Sequence, residues 1–227
     1  GIIDQTGDLA TVSSAELVLI ALPVNTAINV LIQVLDLIPN QAIVIDMGST
    51  KQAICEAVAA HPKRANFLAT HPIAGTEFSG PSAALKGLFK NKTNIICELN
   101  QTSTVLAGKA IALFETMGMH IRYMKAIDHD KHIAYVSHLS HISSFMLGKT
   151  VIDKEKNESN IFDMAGSGFE STVRLAKSSP AMWTPIFEQN KENVIETLNE
   201  YIQNLNQFKA YIENDDFDAV YSEMKNT

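Results

Sequence analysis

The sequence predicts a protein in two parts of different class, an α/β part over residues 1–125 and an all-α part over residues 126–227. Two observations carry that division. Up to Met124, short unbroken apolar runs alternate with stretches of helical periodicity, the pattern of a mostly parallel sheet covered on both faces. From Asp128 onward no strand pattern recurs, and apolar residues return at spacings of three and four.

Each element has its own reason. Residues 17–23 (LVLIALP) form a continuous apolar run, as expected of a strand buried on both faces. Residues 27–37 read as a helix, with apolar positions at Ile28, Leu31, Leu35 and Ile38. Residues 42–49 (AIVIDMGS) read as a second buried strand running into a glycine turn, and residues 51–60 as a helix. Residues 66–72 (NFLATHP) and 93–98 (TNIICE) are further strands, 104–117 a helix, and 120–124 (HIRYM) the last strand. Beyond them, residues 128–151 are expected to be one long helix and residues 154–160 a polar turn. Ser179 followed by Pro180 marks a helix start, with serine as N-cap and proline in the first turn. The helix that follows carries Val194, Leu198, Tyr201, Leu205, Phe208 and Ile212, a seam for the core or for a dimer contact.

Composition narrows the function classes. A hydrophobic fraction of 46% and a charged fraction of 19% over 227 residues are those of a soluble globular protein. No apolar run approaches the roughly 18 residues of a membrane span, and the first residues, GIIDQTGDLA, lack the basic start and apolar stretch of a signal peptide. A net charge of −7 offers no general attraction for nucleic acid or an anionic membrane, so neither is expected as a partner. Two cysteines, Cys55 and Cys97, without a CxxC spacing, fit buried structural thiols in a reducing cytoplasm. An anionic ligand would need local cations, and only three arginines exist: Arg64, Arg122 and Arg174.

Three clusters carry candidate chemistry. In Asp46-Met47-Gly48-Ser49-Thr50-Lys51 a buried strand turns into a helix, where ligands of parallel sheets sit and free N–H groups meet anions. An ordinary turn capped by Ser49 or Thr50 fits the same residues. In Thr70-His71-Pro72-Ile73-Ala74-Gly75-Thr76-Glu77 a histidine follows a strand directly and could serve as a general base near neutral pH. In Ser137-His138-Leu139-Ser140-His141, Ser137 and His141 share a helix face, a polar face that is costly to bury without partners. His138 and His141 lack an evident third ligand, so no metal is expected. His129 and His132, in the charged DHDKH stretch, read as a solvated helix start, and His61 and His120 as structural. No GxGxxG occurs anywhere. The α/β part is therefore expected to be an incomplete Rossmann-like parallel sheet, its first strands and glycine loop absent from this chain.

The segments GIID, ALPV, VIDMGSTK, THPIAGTEFSG, VSHLSH, GSGFESTVRLAKSSPAMW and IFEQNKENV, in this order, resemble the prephenate dehydrogenase family over nearly the whole chain. The resemblance implies a partial dinucleotide-binding domain (1–125) followed by a helical substrate and dimerisation domain (126–227). It further implies a homodimer, NAD or NADP as cofactor, and oxidative decarboxylation of prephenate to 4-hydroxyphenylpyruvate in tyrosine biosynthesis. By the same resemblance His71 would draw the proton from the ring hydroxyl, with Ser49 beside that hydroxyl and the nicotinamide. Ser137, His141, Arg174, Glu77 and Trp183 would meet the substrate, and Leu22, Pro23, Ser49 and Thr50 the cofactor. Arogenate dehydrogenase and a non-catalytic, substrate-binding or regulatory truncation are the competing readings.

Overall fold

A computed structural model of the chain describes residues 3–76, 80–156, 158 and 160–227. Five strands form one sheet in sequence order: β1 (Leu17–Ile20), β2 (Ile43–Asp46), β3 (Phe67–Pro72), β4 (Thr93–Cys97) and β5 (His120–Met124). Three pairings are parallel, and β3 with β4 is antiparallel. The reason lies in the connection. A parallel return needs a crossover of a dozen or more residues, usually helical. The connection, residues 73–92, has the length for one, but its described residues hold no α-helix, only the short 3-10 turn Pro81–Ala83, and β4 comes back alongside β3 in the opposite sense.

Helices α1 (Val24–Leu37), α2 (Gln52–Ala57) and α3 (Thr104–Thr116) cover the sheet. Alternate strand residues point to opposite faces. Val44, Phe67, Ala69 and Cys97 pack with Leu31, Val34, Leu35, Ile54 and Val58 of one layer. Ile43, Ile45, Leu68 and Ile96 pack with Leu106, Ala110 and Phe114 of the other. Each large apolar side chain buried in these layers contributes about 1.5–3 kcal/mol. Cys55 and Cys97 are free and buried, and burial pushes their thiols up to about 11 and about 12, so both stay protonated and unreactive.

The first strand corrects one expectation. Only Ile20 of β1 is buried, while Leu17 and Leu19 are 37% and 51% exposed. Val18 and Ile20 belong to the layer of α1, whereas Leu17 and Leu19 point to the other face of this edge strand and stay exposed.

Past β5 the described residues are helical: α4 (Ala126–Ile133), α5 (Leu139–Glu155), α6 (Ser167–Thr172), α7 (Pro180–Gln189), α8 (Lys191–Glu213) and α9 (Phe217–Asn226). The long helix expected from residue 128 is interrupted by a π turn, Ala134–His138, between α4 and α5. Such a turn adds a residue to the ladder and rotates the face presented on either side. Proline starts α7 as expected, with Ser179 at the N-cap position, although the serine hydroxyl makes no capping hydrogen bond. The helix expected to run on from Pro180 is broken at Asn190, which is buried and donates to the carbonyl of Asp130 (2.7 Å). None of the described helices is long and apolar enough to cross a membrane.

Candidate active site

Parallel strands in register bring their carboxyl ends together. Ile20 pairs with Asp46, and Asp46 with Ala69. Leu22 and Pro23 after β1, Gly48 to Lys51 after β2, and His71 at the end of β3 therefore stand along one rim of the sheet, where ligands of such sheets bind. The middle loop is tight. A Cβ on Gly48 would lie 3.0 Å from Asp46 Oδ1 and 3.3 Å from Val24 Cγ1, and the Gly48 N–H donates to that same oxygen (2.9 Å).

A buried ion pair fastens two of these strands. Lys51, a fully buried side chain, pairs through Nζ with Asp46 and donates to the carbonyl of Thr70 (2.8 Å). The Thr70 hydroxyl in turn donates to the carbonyl of Asp46 (2.6 Å). Thr50 is buried, and its hydroxyl donates to Gln189 Oε1 (2.7 Å), while Gln189 Nε2 donates to the carbonyl of Val24 (2.8 Å). The sheet rim is thereby tied to α7.

Next to the rim lies a line of polar groups. His71 Nδ1 is 2.9 Å from His129 Nε2, and His129 Nδ1 is 2.7 Å from Asp130 Oδ1. Both oxygens of Asp130 also accept backbone N–H groups, from Lys51 and Gln52, at 2.8 Å each. Burial, then the neighbouring His129 and Lys51, hold the His71 ring well below the usual histidine value. Burial lowers His129 as well, against the opposing pull of Asp130. His129 is thus no solvated helix start: it is buried with Asp130, while Asp128, Lys131 and His132 of that stretch are exposed. The sequence did carry a signal. Ala126, His129, Asp130 and Ile133 fall on one helical face, and all four are buried.

The helical part contributes a second group. His141 stacks on Trp183 with ring centroids 3.6 Å apart, and its Nδ1 lies 2.9 Å from the carbonyl of Ser137. Burial lowers the His141 pKa, and the cation of Arg174 lowers it further. Arg174 itself is exposed, in a 3-10 turn, Arg174–Lys177, that packs on α5 where the Ala176 N–H donates to Ser144 Oγ (3.0 Å). His138, the neighbour of Ser137, is buried, with Nδ1 3.2 Å from Asn190 Nδ2. Among the described residues neither His138 Nε2 nor Trp183 Nε1 has a hydrogen-bond partner, although both are buried. Such atoms are costly inside a protein unless a ligand or water meets them.

Desolvation pushes His138 down from 6.5 to about 4. Its neutral form is the one the fold accepts, so stability is full above pH 6.5 and falls as the pH drops towards about 4. At about 1.4 kcal/mol per pKa unit the full loss from this residue is roughly 3 kcal/mol. Denaturant unfolding across that window should show a smaller acid loss for His138→Gln than for the unsubstituted protein. An equal loss in both would mean that His138 does not cause it.

The structure thus gathers Leu22, Pro23, Ser49 and His71 on the sheet rim, and Ser137, His141, Arg174 and Trp183 in the helical part. Thr50 lies between them with its hydroxyl committed to Gln189. Glu77 lies outside the described residues. Lys51, His129, Asp130 and Asn190 join the assembly without having been singled out from the sequence.

Residues 1–123 match the family model described as "Prephenate dehydrogenase, nucleotide-binding domain", and residues 125–226 match "Prephenate dehydrogenase, dimerization domain". The chain belongs to the prephenate dehydrogenase family. One relative in that family is prephenate dehydrogenase of Bacillus subtilis (strain 168), 28% identical over 99% of this chain and 62% of its own length. Another is cyclohexadienyl dehydrogenase of Zymomonas mobilis, 26% identical over 94% of this chain and 73% of that protein. The crystal structure of prephenate dehydrogenase from Aquifex aeolicus in complex with hydroxyphenyl propionate and NAD+ is 31% identical, with a TM-score of 0.91, over 99% of this chain and 79% of that one. The chain therefore spans under two thirds of the Bacillus subtilis relative's length.

Proposed function

We propose that the protein is a prephenate dehydrogenase, converting prephenate to 4-hydroxyphenylpyruvate and CO2 with NAD or NADP. The observation that carries this reading is His71 at the carboxyl end of β3, joined through His129 to Asp130 of α4, in a chain of this family. It supports a half-buried histidine, held neutral by desolvation, where a sheet rim and a helical part meet.

The residues present suit half of a dinucleotide site. Leu22, Pro23 and Ser49 would line the nicotinamide, with the loop at Gly48 too tight for a side chain. Thr50 would take part through its backbone, since its hydroxyl is engaged. When bound, the nicotinamide supplies the hydride acceptor. The rest is work for the chain's own groups. As the ring carbon loses hydride, its hydroxyl must lose a proton, and neutral His71 accepts it with Ser49 alongside. The ring carboxylate then leaves as CO2, its bonding pair completing the aromatic ring, and the proton on His71 is at hand for the phenolic oxygen.

Arg174 would clamp a substrate carboxylate, since a guanidinium offers two parallel donors to it. Ser137 and His141 would meet the substrate's polar groups, Trp183 would supply an aromatic wall, and Glu77 would stand near the entrance. The unpartnered His138 Nε2 and Trp183 Nε1 support a polar ligand on this side. In this reading residues 1–125 are the partial dinucleotide-binding domain and residues 126–227 the substrate and dimerisation domain. Exposed Ile202, Leu205 and Ile212 of α8, with Phe217, Tyr221 and Met224 of α9, support a homodimer, which sedimentation reads directly. Two protonated, buried thiols suit a reducing cytoplasm.

The test is reduced-nicotinamide formation from prephenate, or arogenate, with NAD or NADP, by the 227-residue chain and by the complete gene product. Turnover of prephenate is expected of the complete product. Arg174→Gln should raise KM for prephenate about tenfold or more, because a charge-assisted pair is lost, and should change kcat little. No turnover of either substrate with either cofactor overturns the reading.

A further inference from the structure

The line His71–His129–Asp130 crosses from the sheet rim to the first helix of the other part, and its acceptors and donors can be assigned one by one. Asp130 is buried, and its two oxygens accept the N–H groups of Lys51 and Gln52. A carboxylate held by backbone donors only accepts. His129 Nδ1, 2.7 Å from Oδ1, therefore carries a hydrogen. His129 is itself buried, and its desolvation favours the neutral ring. Its Nε2 then has a lone pair and accepts. Among the described residues, the hydrogen-bond partner recorded for it is His71 Nδ1 at 2.9 Å, which must carry a hydrogen in turn. A neutral His71 with its proton on Nδ1 has its lone pair on Nε2.

We infer that His129, oriented by Asp130, is a positioning residue that locks His71 in its Nδ1–H tautomer and so leaves Nε2 as the proton acceptor. The inference deepens the dehydrogenase reading and rests on it for its kinetic consequence. A free neutral imidazole favours the opposite tautomer, with hydrogen on Nε2, which could not take a proton from a substrate hydroxyl. The charged groups packed about the line do not disturb the assignment. Lys51, preceding α2, is neutralised by Asp46 of β2. Asp130 of α4 receives the hydrogen of His129, and burial keeps His138 of the π turn neutral down to about pH 4. The base thus lies on one part of the protein while the residue that sets its tautomer lies on the other. Docking of the two parts becomes a condition for catalysis.

Nitrogen-15 NMR of histidine-labelled protein reads which ring nitrogen of His71 bears hydrogen, without substrate or cofactor. The unsubstituted protein and His129→Gln should show hydrogen on Nδ1, because the glutamine amide can accept from His71 and donate to Asp130. His129→Phe should fill the space without an acceptor and move the hydrogen to Nε2. In the complete gene product His129→Phe should lower kcat about 10²-fold with KM nearly constant, and His129→Gln should recover at least tenfold of that loss. Hydrogen on Nε2 of His71 in the unsubstituted protein overturns the inference whatever the activity, as does a His129→Phe protein that keeps hydrogen on Nδ1. Should His129→Phe not fold, the unsubstituted protein and His129→Gln still decide. Absence of prephenate turnover in the unsubstituted enzyme strikes instead at the dehydrogenase reading, and leaves the tautomer readout standing.

Discussion

Replacing His71 by asparagine is expected to lower kcat by roughly 10²–10⁴-fold, the usual contribution of a general base, with KM for prephenate changed little. The choice of asparagine follows from the geometry. Its amide nitrogen can stand where His71 Nδ1 stands and still donate to His129 Nε2, 2.9 Å away in the present structure. The line to Asp130 and the packing at the end of β3 are then kept, and only the proton acceptor is lost. The loss should persist across the accessible pH range. The unsubstituted enzyme should lose activity only well below pH 6.5, because burial lowers the His71 pKa and its base form survives into acid. Steady-state rates of the complete enzyme measure this. If His71→Asn retained full kcat, the proton would go elsewhere and the site as drawn would be wrong.

Lys51→Met is expected to cost about 3–5 kcal/mol of stability, the penalty for leaving one member of a buried ion pair alone. Lys51 and Asp46 are both buried, so water cannot take over the role of the missing partner. Without the ammonium, Asp46 would retain the Gly48 N–H at 2.9 Å as its side-chain donor, and the Thr70 carbonyl would lose the donor it has at 2.8 Å. Denaturant unfolding reads the loss. Asp46→Asn added to Lys51→Met should restore part of it, since the remaining group is then neutral. A cost below about 1 kcal/mol, typical of exposed pairs, would show that the pair is solvated in solution. The effect bears on function because this pair ties the carboxyl ends of β2 and β3, where Ser49 and His71 emerge.

Parts of this organisation were open to direct reading. The buried runs at residues 42–49 and 66–72 became β2 and β3, because a strand covered on both faces has to be apolar at nearly every position. His71 could be picked out as the polar residue that ends such a run. The resemblance, rather than periodicity, gave Ser49, Ser137, His141 and Arg174 their roles and pointed to Trp183, for a polar pattern marks a candidate but not what it does.

Other features came only with the tertiary structure. Periodicity tells which residues of an element face inward, but not which way a strand runs beside its neighbour. The antiparallel β4 goes with a connection from β3 whose described residues hold no α-helix. Leu17 and Leu19 were apolar enough for burial, yet their exposure depends on which helices cover the edge of the sheet. His129, Asp130, Lys51 and Asn190 look solvated in the sequence, because buried polar residues are the exception. Their burial became affordable only where four distant segments supplied donors and acceptors to one another: β2 with its following loop, the end of β3, the start of α4, and the break between α7 and α8. The sequence by itself determined the apolar strands and helix faces, since burial of a regular element is a local pattern. The pairing of polar groups around His71 was decided by the tertiary structure, since each is stable inside only when a partner far along the chain arrives to satisfy it.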